Sequence, residues 1–365
     1  MITNKGETDS DTYGNYASGP RSENKNSNSG ANYQRKRGVY DSSTNRNSEI
    51  AQLSNSSNMA WLQNVAAERI VGSYSCGLPG PLILAVAGIH GNEPSGVKAI
   101  RAFLEMLKSQ APLIAGTFLG LVGNLRACSR KQRYVDADLN RCFLPELINA
   151  KSADGIGAEA QELAELTYIL AQLGNQYEDI CFIDCHTTSA LTTPYISINV
   201  HTESLQLANR FPLNNVIGLQ EAIPGCFAEY CNKLNYRGFT FEAGQHLSAA
   251  AFINQIAMLW LTLVYSGALR KQDLKNFQHY EQILAVDSLT RKRTYRLLVH
   301  YRIEDGEEFR MKSGFENFDY VRQDTLLATN RYGDVNASSD GYLLMPLYQE
   351  HGDDGFFLLE EENEV

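Results

Sequence analysis

LILAVAGIHGNEPSG, residues 82–96, opens with an unbroken apolar run and stops at Gly88. The run is too short to cross a membrane, and its continuity fits a strand buried on both faces, as in a parallel sheet covered by helices. After Gly88 comes a polar turn with His90 and Glu93. Pro94 and Ser95 then start a helix, in which Val97, Ile100, Phe103, Leu104 and Leu107 recur at helical spacing. Turns at the carboxyl ends of strands are where open α/β sheets keep their chemistry. An imidazole and a carboxylate three residues apart on such a turn can both reach one divalent ion, and nitrogen plus oxygen donors suit zinc.

The rest of the chain sets limits on this reading. Its 365 residues allow one large domain, or one domain and a small companion, and 43% hydrophobic content supports a sizeable core. A formal net charge of -10 argues against a general nucleic-acid binder, which needs a basic face. A few local arginines can still attract an anionic substrate. Cys76, Cys128, Cys142, Cys181, Cys185, Cys226 and Cys231 are odd in number and show no CxxC spacing, as expected of reduced thiols. The opening MITNKGETDSD has no apolar stretch to serve as a secretory signal. The run 256–265 is far shorter than the ~20 residues of a spanning helix. The expectation is a soluble cytoplasmic protein with no membrane partner.

In chain order, residues 1–58 are rich in Ser, Asn, Gly and Thr and read as a disordered segment, with an inert extension preferred over a docking tail. Structure is expected to begin near Met59, and residues 59–284 read as an α/β domain. GTFLGLVGN supplies a second strand. The loop NLRACSRKQRYVDADLNRCF (124–143) is too polar for core and too rich in charge for a passive linker. Residues 158–173 have the apolar periodicity of an amphipathic helix. DICFIDCHTT delivers His186 at a strand end, PYISINV (194–200) reads as another strand, and RGFTFEAGQH delivers Glu242. Residues 252–265 fit a buried helix. From 285 to 365, alternating segments separated by DG, SG and YGD turns read as a small all-β carboxy-terminal domain ending in an acidic tail.

His90, Glu93, His186 and Glu242 therefore stand at strand ends or just beyond. Two histidines, a glutamate and an open position make a catalytic zinc site, and a nearby carboxylate must manage protons, a role assigned to Glu242. Taken singly, His186 would be read as a hydrogen-bonded interior histidine. Asp184 reads as part of its strand in preference to an orienter of His186. His201 and His246 read as interior histidines, with His246 as a reserve ligand.

GIHGNEPSG, the loop 124–143, DCHTT and FTFEAG together resemble the succinylglutamate desuccinylase and aspartoacylase family of the zinc-carboxypeptidase superfamily, across residues 60–360. The resemblance implies an α/β/α sandwich on a mixed sheet with a small β-rich carboxy-terminal domain. It also implies hydrolysis of an N-acyl amino acid with one zinc ion per chain. It puts the zinc ligands on His90, Glu93 and His186 and the general base on Glu242. The oxyanion-stabilising arginine falls on Arg133, the substrate-carboxylate binders on Asn140 and Arg141, and Asp138 holds the loop in shape. Without the metal motif, Arg133 and Arg141 would read as surface salt-bridge partners.

Two departures stand out. Asn124-Leu125 replaces the commoner Asn-Pro, and no counterpart of the aspartoacylases' carboxy-terminal tyrosine can be placed in QEHGDDGFFLL. The acyl group is thus left open, as is assembly into a homo-oligomer. The competing readings are a metallocarboxypeptidase cutting peptides, which needs an open groove, and a catalytically silent binding protein, which would typically have lost a ligand or the base.

Overall fold

The computed structural model describes residues 68–149, 156–285, 292–349 and 351–362. The segment 1–58 and the start near Met59 lie outside them. Strand β1 (Ile70–Ser75) precedes the apolar run, which forms strand β2 (Leu78–Ala87). Side chains alternate across a strand, and here both faces are covered. Ile83, Ala85 and Ala87 pack with Ile100, Phe103 and Leu107 of helix Pro94–Gln110 and with Trp260 of helix Ala249–Tyr265. Leu82, Leu84 and Val86 pack with Leu163, Leu166 and Leu170 of helix Glu159–Gln176 and with Phe227 of helix Phe227–Lys233. Two apolar faces explain why the run does not alternate with polar residues.

The other strands of this region are β3 (Ala115–Val122), β4 (Ile180–Thr188), β5 (Tyr195–Ile198), β6 (Asn214–Ile217) and β7 (Arg237–Gln245). They are followed by β8 (Thr294–Arg302), β9 (Arg310–Met311), β10 (Tyr320–Val321), β11 (Leu326–Asn330), β12 (Gly333–Asn336), β13 (Gly341–Leu344) and β14 (Asp354–Glu361). Eleven strands make one sheet in the order β1-β3-β2-β4-β7-β5-β6-β8-β14-β13-β10, and β12-β11-β9 make a second. The large sheet is mixed, as expected. β2 runs parallel to β3 and β4, and β4 parallel to β7, whereas β5 lies antiparallel to β7.

The carboxy-terminal region is β-rich, and it continues the main sheet. β8 pairs in parallel with β6, and β14 follows antiparallel to β8, so the edge of β6 is covered by backbone partners. Val321, Leu327, Leu343, Phe356 and Leu358 form a core of its own between the two sheets. Among the described residues no helix is long and apolar enough to cross a membrane, and all seven cysteines are free.

Candidate active site

The parallel neighbours β2, β4 and β7 end side by side, and their ends carry the candidate residues. In β4, Cys181, Ile183 and Cys185 enter the core on one face, so Asp184 and His186 share the other. In β7, Phe239 and Phe241 do the same, which leaves Glu242 beside its register partner His186.

The turn after β2 is built tightly. Gly88 takes φ 73°, in the region that favours glycine. A Cβ on Gly91 would lie 2.0 Å from the Ala127 carbonyl carbon, so the 124–143 loop can approach the turn only because residue 91 has no side chain. Gly91 N donates to Arg133 O at 3.1 Å, joining turn and loop. Pro94 occupies the first turn of the following helix, as predicted, and Glu93 is the N-cap residue. Its carboxylate does not cap. Oε1 lies 2.8 Å from His90 Nδ1, while Oε2 lies 3.2 Å from His186 Nδ1 and accepts from Thr187 N at 2.7 Å. The amino end of the helix adds favourable dipole for this negative charge.

Both imidazoles thus turn Nδ1 toward one carboxylate, and the buried donor atoms of His90, Glu93 and His186 all lie within 4.8 Å of one another. Among the described residues this is the group able to hold a metal ion. Behind it stand two more acids. His90 Nε2 lies 3.1 Å from Asp138 Oδ1. His186 Nε2 lies 3.0 Å from Asp184 Oδ1, close enough for ionic attraction but off the hydrogen-bond direction. Carboxylates behind metal-binding imidazoles fix ring orientation and raise ligand basicity. Asp184 therefore sits where an orienter would, a placement the sequence reading ranked second.

The electrostatics fit a cation. Burial alone would raise the Glu93 carboxyl, but His186 and His90 outweigh it and hold it well below the usual carboxylate range. Burial would lower His186, yet Asp184 and Glu93 hold it well above the usual imidazole value. Glu242 is pushed up to about 8 by burial, with Glu93 and Asp184 adding to the rise and His186 opposing it. Glu242 Oε2 and His186 Nε2 are buried without hydrogen-bond partners, a costly state in a dry interior. Two imidazoles, a carboxylate and spare acceptor capacity beside them are the donor chemistry of zinc.

The cavity at these strand ends is also lined by Arg133, Asn140 and Arg141, so the seven residues expected to bind metal, move protons or contact substrate meet there. Arg133 donates through Nε and an η nitrogen to Asp138 Oδ2 at 3.2 and 2.9 Å. Burial would raise Asp138, but Arg133 and His90 hold it well below the carboxylate range. Asn140 Oδ1 accepts from Phe227 N at 2.9 Å. His246 also lines the cavity, but its Nδ1 lies 2.8 Å from Thr187 Oγ1 and it stands outside the metal-capable group. Arg237 pairs with Asp179 at the opposite end of β7.

Two contributions were not read from the sequence. Met345, Leu347, Gln349, Gly352 and Asp354 of the carboxy-terminal region line the same cavity. Glu159, Glu162 and Glu165 are buried on helix Glu159–Gln176. Glu159 accepts from Val135 N, Asp136 N, Ala137 N and Asn124 Nδ2, at 2.7, 2.9, 3.2 and 2.9 Å. Glu162 holds Leu125 N and Arg126 N, and pairs with buried Arg69. A spacing of three places these acids beside Leu163 and Leu166 on the inward face, which was a legible signal for buried carboxylates.

A mixed-sheet α/β protein with a two-histidine, one-glutamate centre at parallel strand ends defines the class. Residues 79–261, half of the chain, match the succinylglutamate desuccinylase/aspartoacylase catalytic domain, and the chain belongs to that family. It is 37% identical over 119 residues to a probable aspartoacylase of Synechococcus sp. (strain CC9605), a match covering 32% of this chain and 35% of the relative. An N-acyl-aromatic-L-amino acid amidohydrolase (carboxylate-forming) of Xenopus tropicalis is 34% identical over 129 residues, covering 35% and 40%. These matches span little more than a third of the relatives' length. The succinylglutamate desuccinylase/aspartoacylase crystal structure from Rhodobacter sphaeroides shares the fold, with TM-score 0.58 and 14% identity over 79% of this chain and 87% of that one.

Proposed function

We propose that the chain is a zinc-dependent hydrolase that cleaves the amide bond of a small N-acyl amino acid. The observation that carries the reading is the convergence of His90, Glu93 and His186 beside a buried carboxylate, Glu242, whose Oε2 has no hydrogen-bond partner. Family membership supports the same reading. The division into 59–284 and 285–365 is retained as the functional one, with the later strands extending the hydrolase sheet.

His90, Glu93 and His186 would hold one zinc ion, which supplies a Lewis acid for the scissile carbonyl and lets water ionise at a pKa of about 7. Glu242 takes the proton from the attacking water and hands it to the leaving nitrogen. Arg133 faces the charge that develops on the carbonyl oxygen, and Asp138 fixes its guanidinium by two hydrogen bonds. Asn140 and Arg141 receive the carboxylate of the amino acid; a guanidinium offers several N–H donors in one plane for this. Free cysteines fit the reducing cytoplasm expected from the sequence.

Residues 345–349 and 351–354 favour a small substrate over a peptide. Gln349 reaches Asn92 of the metal turn at 3.4 Å, and His351 lies with its ring 6.2 Å from that of Tyr134 in the loop. Met345, Leu347, Gln349, Gly352 and Asp354 border the cleft where a peptidase needs an open groove.

The test combines metal content with activity on one chelator-free preparation of the full chain. About one zinc per chain, with amine release from N-acyl amino acids that ceases on chelation and returns with zinc, is the expected result. Cleavage of peptides alone would transfer the chain to the metallocarboxypeptidase reading. Absence of both zinc and turnover after metal addition would make it a binding protein.

A further inference from the structure

We infer that Asp354 selects the substrate class: an N-acyl amino acid whose α-carboxylate is its single negative charge and whose side chain is neutral and apolar. This inference rests on the hydrolase reading above and goes on to what the cleft admits.

Among the described residues the cleft is lined by two arginines, and each is already opposed by a carboxylate. Arg133 is committed to Asp138. Arg141, the residue expected to hold the substrate carboxylate, donates from one terminal nitrogen to Asp354 Oδ2 at 2.5 Å and from the other to Asn140 O at 2.9 Å. Asp354 is fixed from behind. Its Oδ1 lies 2.7 Å from His300 Nε2, and the His300 ring stacks on Phe357 with centroids 4.5 Å apart. Asp354 opens β14 and His300 belongs to the adjacent β8, so two paired strands present the carboxylate to Arg141.

No lysine is among the described residues lining the cavity, while Leu219, Ile223, Met345 and Leu347 supply apolar wall. Arg141 has five N–H donors and retains enough of them to share with one further carboxylate. A second carboxylate on either half of the substrate, acyl or amino acid, would find no unopposed cationic side chain among the described residues. Burying a charge without a partner is costly, whereas an apolar side chain gains from the same wall.

The test is a comparison of kcat/KM on the zinc-loaded full chain. N-acetylmethionine, N-acetylleucine and N-acetylphenylalanine are set against N-acetylaspartate, N-acetylglutamate and N-succinylglutamate. The monocarboxylates are expected to be favoured by about 100-fold, the scale on which an apolar pocket rejects a ligand carrying an added polar group. Asp354→Asn, which removes the opposing charge from Arg141, should shift the ratio toward dicarboxylates by about tenfold, chiefly through KM. His300→Gln should shift it in the same direction and serves if the first variant folds poorly. Calorimetric binding of the same compounds to Glu242→Gln protein should give the same order without turnover. A wild-type preference for dicarboxylates, or a ratio unmoved in folded Asp354→Asn, overturns the inference while the hydrolase reading stands. Loss of turnover across the entire panel overturns the hydrolase reading, and the inference falls with it.

Discussion

Asp138 Oδ1 lies 3.1 Å from His90 Nε2, and its other oxygen receives Arg133. One carboxylate thus orients a proposed metal ligand and the arginine proposed to face the developing oxyanion. Asp138→Asn keeps the shape and removes the charge. Zinc affinity, read by competition with a chromogenic chelator, should fall about 10- to 100-fold, and kcat/KM should fall further because Arg133 loses its partner. Unchanged zinc affinity in a folded variant would reduce Asp138 to a loop-shaping residue.

Glu242 has a different task. Glu242→Gln keeps the volume, so zinc content and thermal midpoint should stay close to wild type while kcat drops by about 10²- to 10⁴-fold. Full activity in this variant would move the proton transfer to another group.

The Asp354 carboxyl also predicts a pH dependence of stability. Burial would raise it, but His300 and Arg141 outweigh burial and hold it below its ordinary value. A carboxyl with a folded pKa below its unfolded value of about 3.9 stabilises the fold above that pH, and the contribution is lost as pH falls through the folded pKa. Urea unfolding of wild type and Asp354→Asn should therefore differ most above about pH 4 and converge at lower pH. A gap that widens on acidification would contradict the assigned contacts.

Glu159 joins the scaffold to the site. Glu159→Ala strips three backbone N–H groups and Asn124 Nδ2 of their acceptor. A loss of about 2–4 kcal/mol in denaturant unfolding is expected, the scale of buried groups left unpaired by a charged acceptor. Because Arg133 and Asn140 sit on the same loop, kcat/KM should fall in the fraction that stays folded. A fully active, equally stable variant would mean that the loop holds itself.

Several of these features were legible in the order of residues alone. The apolar run before Gly88 required burial on both faces, and its odd and even members meet different helices. The three-residue spacing of His90 and Glu93 is local, so a turn suffices to bring them together. Strand ends after DICFID and RGFTF put His186 and Glu242 at the same carboxyl end of the sheet, because parallel neighbours point their carboxyl ends the same way.

Tertiary structure alone decided what stands around these groups. Arg141 and Asp354 are 213 positions apart, and they meet because β8 joins β6 and β14 returns along β8. The sequence marks 285–365 as β-rich through alternation and turns, but alternation fixes which face a residue takes and leaves strand order open. Asp184 was legible as a strand residue and Glu159 as a helix acid; their partners follow from neighbouring strands and from a distant loop. Local periodicity encodes burial, whereas the pairing of buried charges depends on long-range strand order and register.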